Sequence, residues 1–402
     1  MSLKGIAGNS GDSVRSDCQV TYCPADSGGI KIELKSKVEP LFGDSIRETC
    51  CNVLETLEIN HCSLSVVDSG ALDCVIAARV EAAVKLIEPS DKSYLPELIP
   101  QNRLETTKER FRRSRLYLPG NTPKLMLNAG IHKPDGIILD LEDSVAPAKK
   151  YEARFHVRNI LRSIDFYGCE RMVRINQVPD GLEDLDYIVP HYVNLILIPK
   201  VETAEQILAV VKRIESIRKA TGASQPIWLM PIIESALGVE NAFAIASAHK
   251  SISSLAIGLE DLTADLGTQR TQEGTETFYA RSRVVNAARA VGVQPIDSVY
   301  SDVGNMEGLR ENVLRSKAMG FDGMGCIHPR QIRVIHEAFA PADTEIAKAK
   351  KIVLAFEEAE ANGLGVVSLG SKMIDPPVVK RALRTVKLAQ QTGILAQDWR
   401  VK

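Results

Sequence analysis

In this 402-residue chain, polar and ionisable side chains stand directly behind a series of short apolar runs, where buried strands would end. They are Asp140, Glu142 and Asp143, then Arg174 with Asn176, Lys200 with Glu202, Glu234, Glu260 with Asp261, Asp297 and His328. Several carboxylates gathered on one rim repel each other unless a cation or protons neutralise them. A hard divalent ion answers that need. Magnesium takes one or two carboxylates together with waters and substrate oxygens, and no cysteine or paired histidine stands among these positions to favour a softer metal. Glu234 in PIIESALG and Asp261 in GLEDL are the ligand candidates, because each follows a wholly apolar run. The structural alternative for either is capping a following helix or pairing with Lys200.

Arg174, in VRIN, is an unusual residue to end a buried strand. A guanidinium there can hold an oxyanion through two parallel hydrogen bonds and stabilise an enolate as it forms. An internal ion pair with Asp140 or Glu142 is the alternative. Lys200 has the chemistry for a Schiff base, but between carboxylates it stays protonated, and a protonated amine is no nucleophile. His328, followed by Pro329, reads as a structural rim residue and receives no role.

The elements that must carry these residues are legible from 114 onward. The runs SRLYLPG, DGIILDLED, RMVRIN, LILIPKV, IWLMPIIES, SLAIGLEDL, QPIDSVY and GFDGMGCIHP are separated by stretches long enough for helices. Eight such repeats predict a (β/α)8 TIM barrel, whose catalytic groups lie at the C-terminal ends of the strands. Unbroken apolar runs such as LILIP also suit parallel strands buried on both faces. A doubly wound open sheet is the runner-up.

Before the barrel, 30–34 and 63–67 alternate like strands, and 42–57 and 71–87 have helical spacing, which predicts a small α+β domain. The expected boundaries are 1–90 for that domain, 91–112 for a proline-broken linker, 113–342 for the barrel and 343–402 for a helical extension. The extension, with helices over 345–361 and 377–390, suits packing outside the barrel or against another subunit, so an oligomer is expected.

A hydrophobic content of 45%, with 25% charged residues, is ordinary for a globular protein. No apolar run approaches the roughly 20 residues of a membrane helix, and a net charge of -2 offers no field for gathering nucleic acid. No membrane or nucleic-acid partner is expected. The N-terminal MSLKGIAGNSG has no signal-peptide core, so a cytoplasmic location with reduced thiols is expected. Six of eight cysteines precede residue 75 without paired CxxC spacing, which favours buried thiols over a zinc site.

With RLYLPGNTPK, DGIILDLEDSVAPAKK, VRIN, ILIPKVET, PIIESALGV, LAIGLEDLTADLG and GCIHPRQI in that order, residues 114–341 resemble the citrate lyase β-subunit family within the HpcH/HpaI aldolase superfamily. The resemblance implies a magnesium-dependent carbon–carbon lyase cleaving a citryl thioester to an acetyl thioester and oxaloacetate. A lyase for a free malyl-CoA or citramalyl-CoA type thioester is the alternative. It further implies Arg174 as a substrate-binding residue and Glu234 and Asp261 as the metal ligands; Asn176 and Glu234, at their strand ends, are also expected to bind substrate. MIDPP resembles the family's C-terminal segment and implies Asp375 as a catalytic residue donated to a neighbouring subunit.

The first 88 residues resemble the citrate lyase acyl carrier (γ) subunit, through VEPLFGDSIRETCCNVL and DSGALDCVIAARVEAA. That likeness implies a covalent phosphoribosyl-dephospho-CoA arm on a serine, here Ser16 first and Ser10 second, because AGNSGDSVRSDCQV departs from the family's spacing. A purely structural module is the alternative. A citrate lyase α-subunit acyltransferase is the partner implied.

Overall fold

The computed structural model describes residues 3–363, 367–369 and 372–400. It opens with a four-stranded sheet of β1 (Gly5–Gly8), β2 (Cys18–Pro24), β3 (Ile30–Ser36) and β4 (Cys62–Asp68), in the order β1-β2-β4-β3. Helices α1 (Glu39–Thr56) and α2 (Asp73–Lys85) complete this layer. Alternation makes the strands: Cys18, Val20 and Tyr22 of β2 and Cys62, Leu64 and Val66 of β4 are all buried. The sequence reading lacked β1 and β2. GIAG is too short to show a period, and β2 sits among cysteines that carried no strand signal of their own.

Helix α2 is buried on nearly every side, including Arg79 and Glu81. It lies between the sheet and the barrel helix Lys150–Ser163. Its alanines allow close approach. At Gly5 a Cβ would stand 1.9 Å from the carbonyl oxygen of Ala83, so only glycine fits that crossing. Polar groups inside this sandwich are paired: Arg79 donates to Asp17 at 3.0 and 3.1 Å and to Glu152 at 3.2 Å, and Arg158 donates to Glu81 at 3.1 and 2.6 Å. The N-terminal layer is therefore docked on the barrel through buried ion pairs as well as apolar contact around Phe155.

The segment 89–113 is a strap across the N-terminal mouth of the barrel. Asn102 donates to the carbonyls of Leu161 and Ile164, Thr106 to Glu170, and Arg112 to both oxygens of Glu170 at 2.8 Å. Where composition suggested a linker, side-chain hydrogen bonds replace the missing secondary structure.

The barrel strands are β5 (Ser114–Pro119), β6 (Gly136–Asp140), β7 (Glu170–Arg174), β8 (Leu195–Ile198), β9 (Trp228–Ile233), β10 (Ser254–Ile257), β11 (Gln294–Asp297) and β12 (Gly323–Cys326). All pairs are parallel and the sheet closes on itself, β9 joining β10 and β12 joining β5. Every expected strand is present, and closure rules out the open-sheet runner-up. Ile138, Met172, Leu195, Leu197, Met230, Ile232, Ala256 and Ile296 fill the lumen, leaving the C-terminal rim for polar residues.

Residues 1–332 form one compact unit and 333–402 another. The second contains helices Asp343–Ala361 and Pro376–Gln391 and the strand pair Val367–Leu369 and Lys372–Ile374. Ile352, Val353, Val386 and Trp399 belong to its core. All eight cysteines are free thiols, with Cys51 exposed and Cys23 half-buried. Among the described residues, no helix is long and apolar enough to cross a membrane.

Candidate active site

The C-terminal ends of the strands converge on one cavity of about 400 Å³, lined by Arg174, Glu234 and Asp261 among others. Arg174 closes β7 and is almost buried. Its Nε and Nη2 donate to the two oxygens of Asp140, at 2.6 and 2.7 Å. Nη1 lies 2.7 Å from Glu142 as an ion-pair contact, and the guanidinium stacks 5.3 Å from the Tyr117 ring centroid. Burial alone would weaken this cation, but Asp140 outweighs it and raises its pKa. Asp140 faces the same burial, and the Arg174 hydrogen bonds hold its carboxyl below the usual range. The internal ion pair weighed from sequence is present. It fixes the guanidinium without consuming it: Asp140 takes two of its five N–H groups and Glu142 faces Nη1, which leaves further N–H groups on the two Nη atoms.

Glu234 follows β9, and its side chain is 6% exposed. Among the described residues its one hydrogen bond comes from the backbone N–H of Lys200, 3.1 Å away. Lys200 adopts φ 49° to deliver that N–H, a left-handed conformation seldom used by lysine. Burial, then the charge of Glu142, pushes the Glu234 pKa up to about 8. The other carboxylate oxygen faces Gly258, where a Cβ would stand only 2.4 Å away. Glycine at that turn gives the oxygen its space. Asp261, two residues into helix Leu259–Asp265, lines the same cavity and adds its charge to Glu234 and Lys200.

The side chain of Lys200 contacts Glu142 at 3.1 Å and Asp143 at 3.4 Å. Burial would lower its pKa, yet Glu142 raises it, so the amine stays protonated and Schiff-base chemistry is disfavoured. The remaining strand-end residues divide. Asp143 lies at the cavity mouth. Asn176 opens on a neighbouring cleft, its carboxamide held by Asp184 at 2.8 Å and by Lys150. Glu202 accepts from Ser235 at 2.7 Å, and Glu260 pairs with Arg270 at 2.7 Å. Asp297 lines the cavity, but its carboxylate is engaged by Arg281 and Ser316. His328 lies in a separate groove with Pro329 and Arg330. Asp375 lies in the second unit, where Oδ1 accepts from the N–H of Val378 at 3.2 Å and caps helix Pro376–Gln391.

Among the described residues, no three histidine, cysteine, aspartate or glutamate side chains form a closed metal cage. What the cavity offers is a pair of carboxylates beside open space, the donor set magnesium accepts when waters and substrate supply the rest.

In the N-terminal layer, Ser10 is exposed and donates to Gln19 at 3.0 Å. It borders a cleft of about 790 Å³ that also holds Arg15, Lys35 and Lys37. Ser16 is half-buried with φ 58°, its N–H bound to the carbonyl of Ser69.

Residues 113–329, more than half of the chain, match the family described as HpcH/HpaI aldolase/citrate lyase. The chain belongs to this family. Among its members, the citrate lyase subunit beta of Escherichia coli (strain K12) is 39% identical over 294 residues, 72% of this chain and 97% of that protein. The human mitochondrial citramalyl-CoA lyase is 35% identical over 290 residues, 69% and 85% respectively. A crystal structure of CitE from Mycobacterium tuberculosis with magnesium, acetoacetate and coenzyme A superposes with a TM-score of 0.58 at 29% identity, covering 70% of this chain and 99% of that one. Residues 6–87 match the acyl-carrier family described as malonate decarboxylase delta subunit (MdcD). This HpcH/HpaI member is thus a carbon–carbon lyase barrel with an acyl-carrier-like layer on the same chain.

Sequence reasoning missed two residues of the HpcH/HpaI cavity wall, Arg115 and Tyr117. Both lie within β5 rather than at its end. Their alternation with Leu116 and Leu118 was the available signal, since a period of two turns every second side chain into the lumen.

Proposed function

We propose that this barrel cleaves a citryl thioester into oxaloacetate and an acetyl thioester. The carrying observation is one cavity that joins a fixed guanidinium, Arg174, to two carboxylates, Glu234 and Asp261. The similarity to citrate lyase subunit beta supports the substrate class. Glu234 and Asp261 are the residues to hold magnesium, which when bound supplies Lewis-acid polarisation of the hydroxy-acid oxygens. The raised pKa of Glu234 and the presence of Asp261 in the same cavity fit a carboxylate pair that would hold a cation.

In the reaction the tertiary hydroxyl of the citryl group loses its proton as the adjacent carbon–carbon bond breaks. The bonding electrons pass into the thioester, giving an enolate that is protonated on carbon to the acetyl thioester. Arg174, held by Asp140 and stacked on Tyr117, directs its free N–H groups to the enolate oxygen. Asp375 of a neighbouring subunit is our assignment for the base, resting on the family resemblance. Asn176 positions the rim through Lys150, which also donates to the Glu142 carbonyl at 3.1 Å.

The N-terminal layer is proposed as the thioester carrier, with an α-subunit acyltransferase as partner, in a cytoplasmic oligomer. Of the two candidate serines, Ser10 is better exposed and borders a cleft that Arg15, Lys35 and Lys37 line together with Asp12 and Asp68, its basic side chains suited to a phosphate-bearing arm. Assays of the purified protein with citryl, malyl and citramalyl thioesters, with and without magnesium, test the reading. Magnesium-dependent release of oxaloacetate from the citryl thioester is expected. Cleavage that persists in EDTA, or that is confined to malyl or citramalyl thioesters, overturns it.

A further inference from the structure

The cavity holds two cations of very different standing. Arg174 has its carboxylate partners. Among the described residues Arg115 has none, although it is 1% exposed and lines the same cavity. Its Nη1 meets the thioether of Met230 at 2.9 Å, a weak acceptor, and its Nη2 reaches the carbonyl of Asp297 at 3.4 Å. Its Nε has no hydrogen-bond partner among the described residues. The carboxylate of Asp297 is turned away, taken by Arg281 and Ser316.

Guanidinium keeps its charge in proteins, and a buried charge without a counter-ion is costly to maintain. A protein that keeps one beside a reaction cavity has a use for an anion there. The citryl, malyl and citramalyl thioesters share the carboxylate on the hydroxyl-bearing carbon. They differ in that carbon's remaining substituent, which is a carboxymethyl group in citryl, hydrogen in malyl and methyl in citramalyl. With Glu234 and Asp261 committed to the shared end, only the citryl group brings a second carboxylate into the cavity.

We propose that Arg115 binds this second carboxylate and selects a substrate that yields a dicarboxylic oxo acid over those that yield monocarboxylic ones. The assignment deepens the citryl thioester reading and rests on it. Arg115 touches the substituent that differs and takes no part in bond cleavage, so it acts on specificity. A substrate with methyl or hydrogen there leaves the guanidinium desolvated and unpaired, which penalises the wrong ligand as well as rewarding the right one.

The test uses the full chain with magnesium and two probes, oxaloacetate and 2-oxobutyrate, which carry a carboxylate and a methyl group on the same carbon. Calorimetric titration of the wild type is expected to show oxaloacetate bound at least about tenfold more tightly, the scale of a buried charge pair. In Arg115→Met, whose side chain suits the apolar surroundings of Met230, that preference is expected to collapse. Arg115→Lys should retain part of it. Circular dichroism checks that both variants are folded. An unchanged preference in folded Arg115→Met overturns the proposal. So does a wild type without preference, which decides the matter even if a variant fails to fold. A wild type that cleaves citryl thioester yet shows no preference sinks Arg115 alone, whereas one that neither cleaves it nor binds either probe sinks the function reading with it.

Discussion

Glu234 is the residue on which the cavity's electrostatics turn. Burial and the charge of Glu142 raise its pKa to about 8, against about 4.3 for a free glutamate. A carboxyl whose folded pKa is raised favours the folded state most below its unfolded pKa and loses that contribution as pH rises through the folded one. In EDTA, thermal melts should therefore show Glu234 weakening the fold between about pH 5 and pH 8, a slope that Glu234→Gln should lack. Cation binding at neutral pH must displace the proton, so magnesium affinity should rise with pH and level off above about 8. Titration in buffers of different ionisation enthalpy reads the released proton directly. Arg174 behaves in the opposite manner, because Asp140 and Glu142 surround it with negative charge and keep it protonated.

Among elements, the turn from β10 into helix Leu259–Asp265 sets the distance between the two candidate ligands. Gly258 sits in that turn with Glu234 against its Cα. Gly258→Ala should push the Glu234 carboxylate aside, lowering magnesium affinity by roughly 10-fold or more, in line with disturbed metal-site supports, while circular dichroism remains native. The α2 to Lys150–Ser163 contact is the other decisive one. Arg79 lies between Asp17 and Glu152, all buried. Arg79→Met should leave the buried Asp17 without its cation and Glu152 with Lys149 alone, and destabilise the protein by about 3–5 kcal/mol in denaturant unfolding.

At the scale of the whole molecule, the carrier-like layer is part of the barrel's packing and not a loosely tethered module. Deleting residues 1–88 would uncover Phe155 and leave Arg158 without Glu81. The remaining barrel should melt roughly 10 °C or more below the full chain, as the loss of one such buried pair implies. Docking also limits where an arm could act, because only the length of a flexible prosthetic group, and not domain swinging, would span the distance to the cavity. Intact-mass measurement of the native protein reads that arm as added mass, and peptide mapping distinguishes Ser10 from Ser16.

The barrel was legible in the chain because parallel strands covered on both faces must be continuous apolar runs, and their ends must carry whatever chemistry the molecule has. Arg174, Glu234 and Asp261 were found on that ground, and they share one cavity. Position along a strand does not say which way a side chain turns at its end. Asp297 engages Arg281, Glu260 turns to Arg270, and Asn176 opens on a neighbouring cleft, although all three stand behind apolar runs in the sequence as Arg174 and Glu234 do. Nor does composition reveal a strap: 89–113 has no apolar period, yet its side chains bond to residues that begin β7. The alternation along β5 could place Arg115 on the lumen wall, but its role was hidden for a related reason. Its importance comes from the partners it lacks, and the absence of a counter-ion is a property of packing in three dimensions that no local pattern records.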